Sequence, residues 1–185
     1  GTQPVSITQP SAAAREMAAA RLAGLATPPG ALGRLGELGV WLAACQDQVP
    51  PRPVTNARLV IFAGDHGVAH HGVSAFPAEI TALVLDLSVD DDLSALPEAV
   101  GTHKVRRGSG AIHLEDALSH DDVRRALDVG AQIADEEIAA GGDLLISGDM
   151  GIGNTTAAAA LIAATLGLQA EEVVGTGTGI DEAAL

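Results

Sequence analysis

The spacing of apolar and polar positions divides the chain into two stretches of different grammar. Before about residue 53 the apolar residues recur at helical intervals. Met17, Leu22 and Leu25 fall on a loose stripe, and Ser11 stands where a capping hydroxyl belongs, which predicts a helix from about Ala12 to Leu25. Thr27-Pro28-Pro29-Gly30 breaks it. Leu32, Leu35, Leu38, Val40, Trp41 and Leu42 then mark a second helix, with Cys45 beside Trp41 read as core packing. Pro50, Pro51 and Pro53 end that segment and read as a linker, so residues 1–53 are set apart from 54–185.

From Arg58 the period changes. Leu59-Val60-Ile61-Phe62-Ala63 is a continuous apolar run closed by Gly64, the pattern of a strand buried on both faces. Residues 84–89 form a second strand candidate, 143–147 a third and 172–174 a fourth, with helical stretches at about 121–140 and 155–166. Strands alternating with helices predict an α/β fold, a parallel sheet with helices on both faces.

One join is too short. Pro77 opens a helix through Leu83 that runs into the strand at 84 with no turn, whereas a parallel crossover needs loops at both ends. Either the two strands are not parallel neighbours, or residues near 82–84 are missing from the sequence.

Composition narrows the function. Of 185 residues 47% are apolar but only 2% aromatic, so the core must come from Ala, Val, Leu and Ile. Ten Lys plus Arg against 24 Asp plus Glu give a net charge of −14, which argues against nucleic-acid binding and anionic membrane surfaces. A single Cys forms no internal disulfide, which fits a reducing, cytoplasmic setting. No apolar run approaches the ~18 residues of a membrane span, and no signal peptide is recognisable at the start.

The chemistry concentrates in three loops. Ser147-Gly148-Asp149-Met150-Gly151-Ile152-Gly153-Asn154-Thr155-Thr156 follows a strand and opens an Ala-rich helix. Its glycines let backbone N–H groups approach an anion at a helix N-terminus, and Asn154 and Thr155 add side-chain donors. It lacks the Lys of a nucleoside-triphosphate loop, which disfavours a nucleotide hydrolase. The same residues also fit an ordinary glycine turn with Thr155 as helix cap. Gly175-Thr176-Gly177-Thr178-Gly179 follows the fourth expected strand and repeats the device. Two such loops at one sheet edge suit a small phosphorylated ligand, although two unliganded loops fit the pattern too.

The third loop runs Gly64-Asp65-His66-Gly67-Val68-Ala69-His70-His71-Gly72-Val73-Ser74. Gly67 and Gly72 weaken the helix that a metal site on His66 and His70 would need, so no metal is assigned. Asp65 and His66 are expected to order the loop by hydrogen bonds, His70 and His71 to face solvent, and Ser74 and Phe76 to line an apolar slot for a planar ring. Asp90-Asp91-Asp92 reads as a solvated loop.

Phe62-Ala63-Gly64-Asp65-His66-Gly67-Val68, Gly72-Val73-Ser74-Ala75-Phe76-Pro77, Gly148 to Thr156 and Gly175 to Gly179, in that order, resemble nicotinate-nucleotide–dimethylbenzimidazole phosphoribosyltransferases. Thr27-Pro28-Pro29-Gly30-Ala31-Leu32-Gly33-Arg34-Leu35 is similar to the N-terminal signature of that family. The resemblance implies a three-layer Rossmann-like domain, a smaller helical domain built partly from the N-terminal helices, and a homodimer. It implies transfer of the phosphoribosyl group of nicotinate mononucleotide to 5,6-dimethylbenzimidazole, giving α-ribazole 5′-phosphate and nicotinate, in assembly of the cobalamin lower ligand. A non-catalytic nucleotide-binding sensor is the other reading.

In this resemblance Gly151, Gly153, Asn154, Thr155, Gly175, Thr176 and Gly177 hold phosphate and ribose, and Asp65, His66, Ser74 and Phe76 serve the acceptor base. Asp149 stands where the family commonly has Glu, an acidic role near the ribose with shorter reach. The leaving pyridinium is already cationic, so the resemblance implies neither metal nor cofactor. It also implies a general-base Glu beyond residue 185 and an insert between the Pro77 helix and the next strand, and hence weak phosphate binding and little turnover by these 185 residues alone. Ser109-Gly110-Ala111-Ile112-His113-Leu114-Glu115 departs from the usual family pattern.

Overall fold

The computed structural model describes residues 7–71, 85–177 and 179, and the chain divides into two compact units, residues 1–55 and 56–185. The first unit is a helix pair, α1 (Ala12–Ala23) and α2 (Arg34–Gln46). Ser11 caps α1 by accepting the Ala14 N–H at 3.2 Å, and its own N–H reaches the Ala44 carbonyl of α2 at 2.9 Å. Small residues make the contact: Ala14 and Ala18 of α1, Gly36, Ala43 and Ala44 of α2 are buried. A β-carbon on Gly36 would stand 3.1 Å from Leu22 Cδ2, so any larger residue there would push the Leu22 side chain aside.

That packing corrects one expectation. Trp41 is 46% exposed and Cys45 is exposed too, because the small residues of α2 face α1 and the Trp41–Cys45 row lies elsewhere on the helix. Leu35 and Leu38 are likewise exposed.

The second unit carries a three-stranded sheet of order β2-β1-β3, with β1 Ala57–Gly64, β2 Leu85–Ser88 and β3 Leu144–Met150. Both pairings are parallel, Phe62 lying opposite Leu85 on one side and Asp149 on the other. β1 and β2 are therefore parallel neighbours, which removes one of the two explanations for the short join at 77–84. The helix expected from Pro77 lies outside the described residues.

Between β2 and β3 run the short α3 (Glu98–Gly101) and the long α4 (His120–Ala139). Ser119 and Asp122 form a reciprocal capping box at the start of α4. Near its end Glu137 pairs with Arg58 of β1. After β3 comes α5 (Asn154–Leu166), closed by Gly167 in the left-handed region.

Two sheet expectations need correction. β1 is half-buried rather than buried on both faces: Leu59 is 61% exposed, and Leu145 and Ile146 of β3 are exposed as well. Three strands cover each other only in part, and β3 has no strand on its outer edge among the described residues. The strand expected at 172–174 is absent. Ala170–Glu172 is a 3₁₀ turn, and the Val173 and Val174 N–H groups both donate to the Ala170 carbonyl at 3.0 Å. The Glu172 carboxylate accepts the Gln169 N–H at 2.9 Å, and this local bond winds the segment before it can extend. The core is built of Ala, Val and Ile, as the composition requires.

Candidate functional site

The parallel register puts the carboxyl ends of all three strands on one edge, and there the loops meet. β1 ends at Gly64 and β3 runs into Gly151. A β-carbon on Gly151 would stand 2.0 Å from the Gly64 carbonyl oxygen and 3.1 Å from His66 Cδ2. Only a glycine fits, and its backbone brings the His66 ring against the β3–α5 loop.

Gly153 then turns the chain into α5 with φ +86°, a left-handed conformation that costs a glycine little. Gly153 is also the N-cap of α5, and no side chain caps the helix. Thr155 sits in the first turn with its side chain exposed, so the reading of Thr155 as helix cap does not hold. Asn154 donates from Nδ2 to the Asp149 carbonyl at 3.5 Å, a long contact across the loop mouth. The Asp149 side chain is exposed at the end of β3.

The second glycine loop reaches the same place from the 3₁₀ turn rather than from a strand. Gly177 has φ +50°, and a β-carbon there would lie 3.3 Å from Thr155 Oγ1. Gly175 and Thr176 precede it, exposed. The two loops therefore converge on the N-terminus of α5, where the helix dipole favours anions and the Asn154 and Thr156 N–H groups are bonded to the Gly151 and Gly153 carbonyls at 3.2 and 3.1 Å.

On the opposite flank Asp65 organises the β1 loop. Its N–H donates to the Ser88 carbonyl at 3.0 Å, its carbonyl accepts the Ser109 N–H at 2.9 Å, and Oδ2 accepts the Asp90 N–H at 2.8 Å. His66 contributes its carbonyl, which accepts the Ala69 N–H at 2.8 Å, and presents its ring to Gly151. His70 and His71 are exposed, as expected, and the His71 ring meets His113 edge-on with centroids 4.4 Å apart. Ser74 and Phe76 lie outside the described residues, so the planar slot expected there is not described. Among the described residues no group of three or more His, Cys, Asp or Glu is placed to hold a metal ion.

Sequence reasoning missed the charged network behind this flank. Asp86, in the middle of β2, is 1% exposed and is neutralised by Lys104, whose Nζ stands 2.6 Å from Oδ2. A carboxylate between Leu85 and Leu87 was the available signal, since a buried charge demands a partner. The loop Asp90-Asp91-Asp92 is exposed as expected, but it is tied down by Lys104, by Arg107 and by its own turns. The Asp92 carboxyl is held below its usual value chiefly by the Ser94 backbone N–H and then by the Ser94 hydroxyl.

A parallel α/β sheet whose carboxyl edge gathers two glycine loops at one helix N-terminus defines an α/β domain of the class that binds ligands at that edge. The phosphoribosyltransferase family model matches residues 7–86 and 82–185. The chain belongs to the nicotinate-nucleotide–dimethylbenzimidazole phosphoribosyltransferase family. It is 52% identical to the Mycobacterium tuberculosis protein of that name, an alignment covering 99% of this chain and 56% of the relative. A Mycobacterium leprae relative with the same name is 48% identical over 96% of this chain and 57% of its own. The crystal structure of CobT from Thermus thermophilus superposes with a TM-score of 0.82 at 39% identity, covering 93% of this chain and 58% of that one. The chain thus spans little more than half the length of these relatives. No helix among the described residues is long and apolar enough to cross a membrane.

Proposed function

We propose that this chain forms the phosphoribosyl-binding part of an enzyme that transfers the phosphoribosyl group of nicotinate mononucleotide to 5,6-dimethylbenzimidazole. The observation that carries the reading is the convergence of Gly153, Thr155 and Gly177 at the start of α5, with Asp65 and His66 across the same edge. Names of relatives at about half identity point the same way.

In this reading the phosphate ester sits on the backbone amides of the two glycine loops, with Thr155 and Asn154 as side-chain donors. That anchors the ribose so that its anomeric carbon faces the β1 loop. A ring nitrogen of the benzimidazole attacks that carbon, the N–C bond to nicotinate breaks, and configuration inverts. The pyridinium nitrogen takes the bonding pair and leaves as neutral nicotinate nitrogen. The proton on the second benzimidazole nitrogen passes to a carboxylate base, which is not assigned to any of these 185 residues. Asp149 faces the ribose and offsets positive charge developing at the anomeric carbon. Holding two rings in line accounts for much of the acceleration, up to about 7–11 kcal/mol where the geometry is tight.

The same reading includes a homodimer, a cytoplasmic location, and a stretch of family sequence missing near residues 82–84. Two observations support the last point. The family match divides into stretches that meet at residues 82–86, and the alignment to the Mycobacterium tuberculosis relative runs over 207 residues against the 185 of this chain.

The test is calorimetric titration of the chain with nicotinate mononucleotide, followed by an assay of nicotinate release from the complete open reading frame. Binding of the nucleotide, with release that requires dimethylbenzimidazole, is expected. Binding without any release in the complete protein contradicts the enzyme reading.

A further inference from the structure

We infer that Lys104 is a positioning residue for Asp65, and that it holds the acceptor-base side of the site by gripping the two carbonyls that flank Asp90. The inference rests on the proposed role of Asp65 toward the base. Lys104 Nζ has three donors and three acceptors around it: Asp86 Oδ2 at 2.6 Å, the Val89 carbonyl at 2.8 Å and the Asp91 carbonyl at 2.5 Å. Asp90 lies between those carbonyls, and its N–H is the donor to Asp65 Oδ2 at 2.8 Å. One ammonium group thus brackets the residue that orients the Asp65 carboxylate.

The anchor of the bracket is rigid. Asp86 is 1% exposed on β2, and while Oδ2 takes Lys104, Oδ1 accepts the Val89 N–H at 2.7 Å. Both ends of the loop turn are therefore fixed to the same buried carboxylate. Arg107 also holds Asp90, through the carbonyl at 2.8 Å and Oδ1 at 3.2 Å. That pair is 59% and 63% exposed, so solvent screens it, whereas the Lys104–Asp86 pair is 21% and 1% exposed. Orientation of Asp65 accordingly depends on Lys104 more than on Arg107. A charge that touches neither ligand controls one that faces the base.

The test compares the wild-type chain with Lys104→Met, Lys104→Arg and the double variant Asp86→Leu/Lys104→Met, which removes the bracket without stranding a buried carboxylate. In the free protein, amide exchange at Asp90 is expected to quicken about tenfold or more in both Met variants, with the amides of the first turn of α5 unchanged. Calorimetry is expected to show dimethylbenzimidazole affinity falling about tenfold while nicotinate mononucleotide affinity stays within about twofold, with Lys104→Arg restoring much of the loss. Unchanged exchange at Asp90, or equal weakening of both ligands in the double variant, overturns the inference. Faster exchange at Asp90 in the Met variants, together with a wild-type chain that binds nicotinate mononucleotide but no dimethylbenzimidazole, overturns instead the assignment of Asp65 to the base, and leaves the bracket standing.

Discussion

A β-carbon on Gly151 would stand 2.0 Å from the carbonyl oxygen of Gly64, so these two glycines meet backbone to backbone where β1 and β3 end. Nothing flexible stands between them. Gly151→Ala must therefore push the two strand ends apart and carry the glycine loop that opens α5 with them. The expected cost is about 3 kcal/mol, the upper part of the range for overpacking. A urea titration should show a lower midpoint with an unchanged slope, and nicotinate mononucleotide binding should weaken in the same variant.

Thr155 tests the loop convergence without disturbing the fold. Its hydroxyl faces Gly177 and its side chain is exposed. Thr155→Val keeps the shape and removes the donor. A hydrogen bond to a charged group contributes about 1.5–3 kcal/mol, so nucleotide binding should fall roughly 10- to 100-fold while the denaturation midpoint stays where it is. A calorimetric titration of the variant decides it.

The glycine loops and the ends of β1 and β3 were legible because their signals are local: an apolar run, then glycines where the backbone must turn or approach. The same local reading went wrong at Val173 and Val174, whose β-branched side chains suggested a strand while the Glu172 carboxylate wound the backbone into a turn. It went wrong at Trp41 and Cys45 because helical spacing defines a stripe but not which stripe faces the neighbour. Here the glycine and alanines of α2 won. The Asp86–Lys104 pair spans 18 residues of sequence, and only the fold brings it together. That Asp86 needed a cation was readable; which cation was not.

Lys104→Met strands the Asp86 carboxylate in the interior. The expected destabilisation is about 3–5 kcal/mol, the usual cost of removing one partner of a buried pair. Asp86→Leu/Lys104→Met should recover more than half of it, because no buried charge is left behind. Chemical denaturation of both variants and the wild type makes the comparison.

The start of α4 gives a pH dependence of known sign. The Asp122 carboxyl is held below its usual value, chiefly by the Ser119 hydroxyl and then by the Ser119 N–H, with Arg106 adding to both. The folded chain therefore keeps this group ionised to lower pH than the unfolded chain does. Its contribution is complete above the unfolded value of about 4 and is lost as pH falls through the lower folded value. Asp122→Asn should flatten the acid side of the stability profile, measured by urea midpoints between about pH 6 and pH 3. Ser119→Ala should cost about 1 kcal/mol near neutral pH, the usual value of a lost N-cap.

The most direct measurement is a residue-resolved amide titration of the chain with nicotinate mononucleotide. The largest shifts are expected at Gly153, Asn154, Thr155 and Gly177, saturating together with one affinity. Saturable shifts that leave those four amides unmoved, or that cluster between α1 and α2, would contradict it.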